Sequence, residues 1–335
     1  MEGQSMQQDL NLSIRVGKVV LRNPIILSPG PCSRTPTSMK RFADAGCAAV
    51  ISKTLTPLPL KGNPNPKRVN LPNDLVLNAE GGPNIGMEAF GEEMKKVKGQ
   101  IKDSHFIISI VGKTIEEFVA LAVQSEKLGA EVLDLDITCP NMSDKGSVDS
   151  WQKDLGLLYE LITAVKRAIS IPLWIKFINA YGTLLQIAET LEKAGADAVV
   201  PLVSIGAMAI DLETSKPILG FKHGTGILTG PPLKCAGLKA VADVVRTVSC
   251  PVIATGGCFS GLDVIEYLMV GARAVEMHTV FMKEGIAHVE KMISEMTQFM
   301  KAKGVSRIEE FIGLTLKHLP EKPFSVWYQT PQKTE

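Results

Sequence analysis

The sequence has no CxxC pair. Its six cysteines, at positions 32, 47, 139, 235, 250 and 258, are scattered, which argues against a zinc ribbon, an iron–sulfur cluster and a disulfide framework. Five histidines form no HExxH or similar ligand pair, so a protein-bound catalytic metal has little support. No apolar run approaches the roughly 18 residues of a membrane span, and the N-terminal MEGQSMQQDL lacks the apolar centre of a signal peptide. The expectation is a soluble, cytoplasmic protein with no membrane partner. Basic blocks interleaved with aromatics are also missing, and 36 Lys plus Arg stand against 35 Asp plus Glu, so no nucleic-acid partner is expected. No GxGxxG follows a first strand, which removes support for a Rossmann dinucleotide site. VGKT at 111–114 lacks the upstream glycine of a P-loop and reads as a strand end followed by a threonine N-cap.

What is present is a repeat of pattern. A short run rich in Val, Ile and Ala is followed by a polar or glycine-bearing turn and then an amphipathic stretch closing on Gly or Gly-Ala. The runs are IIL (25–27), AAVIS (48–52), FIISI (106–110), VLDLDI (132–137), PLWIKF (172–177), DAVVPLV (197–203), PVIAT (251–255) and RAVEM (273–277). KAGADAVV and MVGARAVE join a helix C-cap glycine to the next parallel strand. Near-continuous apolar strands alternating with helices make a parallel sheet, and eight units over 335 residues fit a closed (β/α)8 TIM barrel better than an open sheet. One domain spanning 1–335 is expected, with flexible ends at 1–10 and 329–335. LSIRVGKVVLRNP alternates like an N-terminal β-hairpin that caps the barrel floor. The long Pro-, Asn- and Gly-rich insertion after the second strand has the length and composition of a functional loop.

In such barrels the site lies where strands end. The polar residues there include Ser28, Gly30, Lys53, Thr54, Asp136 to Asn141, Lys176, Ser204, Gly256, Gly257, His278 and Thr279. Lys53 and Lys176 follow directly on apolar runs and point into a closed site where they can neutralise an anion; the plainer reading is a lysine snorkelling out at a strand end. ATGGCFSG (254–261) sets two glycines between a strand and a helix, where free backbone N–H groups and the helix N-terminus converge on a phosphate. GTGILTG (224–230) is read as a turn that adds small residues nearby. Cys139 sits where a buried strand becomes a polar loop, and its thiol becomes a general base if a cation such as Lys53 lowers its pKa. The other five cysteines are read as inert core residues.

These residues resemble a known family, the FMN-dependent dihydroorotate dehydrogenases of the soluble class 1 type, with the related pyrimidine-reducing domain of dihydropyrimidine dehydrogenase. The resemblance covers most of the chain and rests on NPIILSPG, SKTLTPLPLKGNPNPKRV, NAEGGPNIG, DITCPN, IKF, ATGGCFSG and MHTVFMKEG. It implies FMN across the barrel mouth, contacted by Ser28, Gly30, Lys53, Thr54, Lys176, Gly226, Gly230, Gly256, Gly257, His278 and Thr279. Substrate would lie among Asn78, Glu80, Gly81, Gly82, Asp136, Asn141 and Ser204. Hydride would pass between flavin N5 and a substrate carbon while Cys139 moves the proton at the adjacent carbon, and Lys176 would stabilise the reduced flavin. Family members are homodimers or assemble with a subunit carrying FAD and Fe–S.

Three positions depart from the family pattern. Asp136 and Val203 stand where it carries asparagines that surround the pyrimidine ring, and Glu80 stands where it carries methionine. A buried polar group left without its partner costs about 1 to 3 kcal/mol, so these changes penalise dihydroorotate. The expected substrate is a small nitrogen-containing ring, richer in donors or cationic, and not dihydroorotate. A genuine dihydroorotate or dihydropyrimidine dehydrogenase, and a non-redox phosphate-binding lyase or isomerase, are the alternatives. Asp136 and Glu80 either contact substrate or pair with Lys53. His278 replaces a small residue beside the FMN phosphate, to which it either donates or is a crowding neighbour, and Ile227 interrupts a double glycine.

Overall fold

A computed structural model describes residues 10–97, 99–138, 151–178, 182–203 and 205–324. Eight parallel strands form the core: β1 (Ile25–Leu27), β2 (Ala49–Ile51), β3 (His105–Ile110), β4 (Val132–Asp136), β5 (Leu173–Ile178), β6 (Ala198–Leu202), β7 (Ile253–Thr255) and β8 (Ala274–Met277). Each of the eight apolar runs is a strand. β1 to β6 pair in chain order, β8 pairs with β1, and β7 pairs with β8. The Val199 N–H donates to Pro251 O at 3.0 Å, joining β6 to β7 and closing the ring. The strands are buried on both faces because side chains fill the interior and helices cover the outside.

The helices follow their strands: α1 (Pro36–Asp44), α2 (Met87–Lys95), α3 (Ile115–Lys127), α4 (Leu155–Ala168), α5 (Leu184–Lys193), α6 (Lys234–Val245), α7 (Gly261–Met269), then α8 (Thr279–Glu284) and α9 (His288–Lys303). Thr35, Thr114, Asp154 and Ser260 cap α1, α3, α4 and α7 by accepting an N–H of the first turn. Thr114 thus settles VGKT as a strand end and a cap. The hairpin Ile14–Val16 with Val19–Leu21 is antiparallel. A Cβ at Gly17 would lie 3.6 Å from Asp197 O and 3.9 Å from Pro251, so the hairpin turn sits under the starts of β6 and β7, at the floor.

The mouth departs from the expectation of loops. The insertion after β2 supplies two strands, Arg68–Asn70 and Val76–Asn78, and the connection after β6 supplies Ile205–Ala207 and Gly226–Thr229. Together they make a four-stranded antiparallel sheet in which Val76–Asn78 pairs with Gly226–Thr229. GTGILTG is therefore mostly a strand, not a turn. Asn63 fastens the insertion by donating its side-chain amide to Ala79 O (2.9 Å) and its N–H to Glu80 O (2.9 Å). GNPNPKRV thus holds the Glu80–Gly81–Gly82 segment over the barrel. No described helix is long and apolar enough to cross a membrane.

Candidate active site

The strand ends and the four-stranded sheet enclose one cleft with an empty volume of about 1450 Å3, counting solvent at its mouth. At the barrel end it is lined by Ser28, Gly30, Lys53, Thr54, Asp136 and Lys176. From the insertion come Asn78, Glu80, Gly81 and Gly82, from the connection after β6 Gly230, and from the ends of β7 and β8 Gly256, Gly257, His278 and Thr279. Gly226 does not line it: its Cα packs against the sheet, where a Cβ would lie 2.5 Å from Asn78 O. Cys139, Asn141 and Ser204 lie outside the described residues. Thr138, within the Asp136–Asn141 stretch singled out in the sequence, also faces the cleft; sequence reasoning missed Arg68, Glu276 and Met282, which face it too.

The deepest feature is a charge cluster. Lys176 Nζ on β5 lies 2.7 Å from Glu276 Oε2 on β8 and 3.3 Å from Asp134 Oδ2 on β4. Ser28 Oγ donates to the same Glu276 oxygen at 2.9 Å. Both carboxylates are fully buried and Lys176 is only 6% exposed in its side chain, so it points inward and does not snorkel. Burial pushes the Asp134 pKa up to about 7, with the Lys176 ammonium opposing and Glu276 adding to the rise. Burial by itself would release the Lys176 proton, but Asp134 and Glu276 outweigh it and hold the ammonium above its ordinary range.

Nearer the mouth, Asp136 is held by hydroxyls. Thr138 donates its N–H (2.8 Å) and Oγ1 (2.6 Å) to Oδ1, and Thr54 Oγ1 donates to Oδ2 at 3.2 Å. Ser109 Oγ donates in turn to Thr54 Oγ1 at 3.1 Å. Lys53 pairs with Glu80, Nζ to Oε2 3.6 Å, and its side chain is 13% exposed. Of the two extra carboxylates, Glu80 faces Lys53 and Asp136 faces the threonines. Among the described residues Glu80 Oε2 is buried without a hydrogen-bond partner, as is Glu276 Oε1.

The glycine pair behaves as a cradle, with one change in its cause. Gly257 has φ +64°, and a Cβ there would meet Lys234 N at 2.3 Å. Among the described residues the N–H groups of Gly256, Gly257 and Cys258 donate to no protein acceptor. The start of α7 is not free, however. Asp263 Oδ2 accepts from the N–H groups of Phe259 and Ser260, and Glu295 Oε2 accepts from that of Gly261. The amides open to an anion are therefore those of the loop before α7 and not those of the helix start, and Thr279 lines the same cleft.

His278 has no hand free for a ligand. Its Nδ1 donates to Ser28 O (3.1 Å) and its Nε2 accepts from the Cys32 N–H (3.4 Å). The ring fills the space that a Cβ at Gly30 would take, 2.2 Å from Cε1. Burial pushes its pKa down to about 4 against the hydrogen bond to Ser28 O, with Lys53 and Arg68 lowering it further, so the imidazole is neutral. Cys258 lines the cleft too, and burial raises its thiol well above the ordinary range, consistent with an inert core residue.

The family model for dihydroorotate dehydrogenase matches residues 11–300. The chain belongs to the dihydroorotate dehydrogenase family. It is 33% identical over 305 residues to "Dihydroorotate dehydrogenase B (NAD(+)), catalytic subunit" of Methanocaldococcus jannaschii, covering 90% of this chain and 97% of that one. To the protein of the same name from Pyrococcus abyssi it is 35% identical over 308 residues, covering 91% and 99%. The fold is similar to that of a dihydroorotate dehydrogenase from Eimeria tenella solved with ferulenol, with a TM-score of 0.75 at 21% identity over 96% and 92% of the two chains. As a family member the chain is a flavoprotein, an FMN-dependent oxidoreductase acting on CH–CH bonds. The cleft fits that cofactor on its own terms. Unpartnered loop amides suit a phosphate, and an ammonium beside a partnerless carboxylate oxygen matches the C=O and N–H edge of the flavin pyrimidine ring.

Proposed function

We propose that this dihydroorotate dehydrogenase-type enzyme oxidises or reduces a small nitrogen-containing ring that presents hydrogen-bond donors, and that dihydroorotate is not its natural substrate. One observation carries the reading: Glu80 Oε2 is buried in the cleft, 3.6 Å from the Lys53 ammonium, and among the described residues it accepts no hydrogen bond. Such an oxygen is satisfied by a ligand N–H and opposed by a ligand carboxylate. Asp136 supports it, since threonines hold its carboxylate at 8% exposure in the same cleft. The relatives' names make dihydroorotate the competing substrate.

FMN, when bound, would supply the hydride chemistry; Gly256, Gly257 and Thr279 would hold its phosphate, and Lys176 and Glu276 would hold its pyrimidine ring. Asn78 and Glu80 orient the substrate, and Gly81 and Gly82 let the insertion approach it closely. Asn141 and Ser204, outside the described residues, complete the substrate set by family likeness. Cys139, also outside them, holds or takes the proton at the carbon next to the hydride carbon. Lys53 sits at 3.6 Å from Glu80 and lowers the cost of a carboxylate there. Lys176 is not a Schiff-base amine: two carboxylates keep it protonated, which counts against a lyase or isomerase.

The relatives are named catalytic subunits, which supports a second subunit carrying the electrons onward. A homodimer of this chain is the other assembly the likeness suggests. The test is direct. Purified protein should carry or take up FMN, and a reduced nitrogen-containing ring that bears N–H donors and no carboxylate should bleach it anaerobically where dihydroorotate does not. Protein that neither carries nor takes up FMN contradicts the reading.

A further inference from the structure

The buried cluster of Asp134, Lys176 and Glu276 has two acids for one base. With both acids ionised it holds a net negative charge at the base of a cleft that receives a flavin, and a flavin gains negative charge when it takes up hydride. Like charges brought together in a poorly solvated site favour proton uptake. A route for that proton is built in. Ser109 Oγ lies 3.1 Å from Thr54 Oγ1 and is also within hydrogen-bond reach of the Asp134 carboxylate, and Thr54 Oγ1 lies 3.2 Å from Asp136 Oδ2, so rotation of the two hydroxyls passes a proton from Asp136 to Asp134. Asp136 opens on the cleft.

We propose that the cluster compensates the charge of the reduced flavin, with Asp134 taking up one proton for each two electrons and Glu276 acting as the positioning residue for Lys176. The inference rests on the FMN reading above. In the oxidising direction the substrate loses two hydrogens: one would pass with its electron pair to the flavin as hydride, and the other passes as a proton to Cys139. Water supplies the further proton that turns the Asp134 carboxylate into a carboxylic acid. When the redox partner, an electron-transfer protein, removes two electrons, the Asp134 proton returns to solvent together with the hydride-derived proton and the one held by Cys139. The groups facing the cluster are Lys176 on β5, Asp136 on β4, and the hydroxyls of Ser28, Thr54 and Ser109 on or beside β1 to β3. β6 and β7 bring no charged residue to it. Burial already lifts the Asp134 carboxyl above the ordinary carboxylate range, so one more negative charge beside it favours its protonation.

The test is reduced-minus-oxidised infrared difference spectroscopy of the FMN-bound protein near neutral pH, together with the protons taken up per two electrons. Wild type should gain a carboxylic acid C=O band that shifts in D2O. Asp134→Asn should lack the band and take up one proton fewer. Glu276→Gln should leave the band and change the pH at which it forms. FMN-bound wild type that reduces fully without such a band overturns the proposal and leaves the flavin reading standing. A band that persists in Asp134→Asn also overturns it. Protein that binds no FMN overturns both readings. If Asp134→Asn does not fold, the wild-type spectrum alone decides.

Discussion

Glu80 Oε2 lies 3.6 Å from Lys53 Nζ, close enough for attraction and too far for a hydrogen bond, and no other protein donor reaches that oxygen among the described residues. The pair cancels its own charge, where a lone lysine would add a second cation beside Arg68 in the cleft. Glu80→Gln should therefore strengthen binding of an anionic ring such as orotate by about tenfold or more, worth ~1.4 kcal/mol. Flavin absorbance titration reads it directly, and unchanged affinity would mean that Glu80 does not meet the ligand.

The loop amides before α7 are expected to carry the phosphate, because the first turn of α7 is spent on Asp263 and Glu295. Gly257→Ala places a Cβ 2.3 Å from Lys234 N at a positive φ, so the loop must move. FMN affinity, followed by fluorescence quenching, should fall about tenfold or more while the fold is kept. Retained affinity would place the phosphate elsewhere.

His278 ties folding to acid pH. Its pKa in the fold is about 4 against an ordinary value of 6.5 in the unfolded chain. Between those values the unfolded chain binds more protons, so stability rises with pH there. The contribution is complete above about 6.5 and is lost as pH falls towards 4, on the order of 3 kcal/mol in all. His278→Gln should flatten that part of the stability curve in urea unfolding at pH 4.5 and 7. Parallel curves for the two proteins would show that the imidazole is not buried neutral.

Much of the barrel was legible in the sequence. The eight apolar runs carry their own signal, since a strand buried on both faces needs no partner to look apolar. The mouth was less so. Val76–Asn78 and Gly226–Thr229 are three- and four-residue strands in glycine- and proline-rich chain, and they pair with each other across about 150 residues of sequence, which no local pattern reports. Glu276 was hidden for a related reason. Within RAVEM it reads as one polar residue in a strand, and only the closed ring brings it to Lys176 and Ser28. His278 was flagged by its oddness, but its bonds to Ser28 and Cys32 depend on how β8 sits against β1.

Cys139 is assigned from likeness and chemistry. Cys139→Ser should slow the substrate half-reaction at least about a hundredfold while FMN stays bound, because a serine is a much poorer proton acceptor at neutral pH. Stopped-flow loss of the flavin band measures it. A rate within a few-fold of wild type would remove the cysteine from proton transfer.

The central claim is a retained flavin chemistry with a changed ring substrate, and the anaerobic reduction of bound FMN by dihydroorotate tests it most directly. The account predicts that wild type bleaches slowly or not at all with dihydroorotate, although dithionite reduces it fully. Asp136→Asn, Val203→Asn and Glu80→Met combined should bleach at least about a hundredfold faster, some 3 kcal/mol of recovered recognition. Rapid, complete bleaching of the wild-type protein by dihydroorotate would contradict the account.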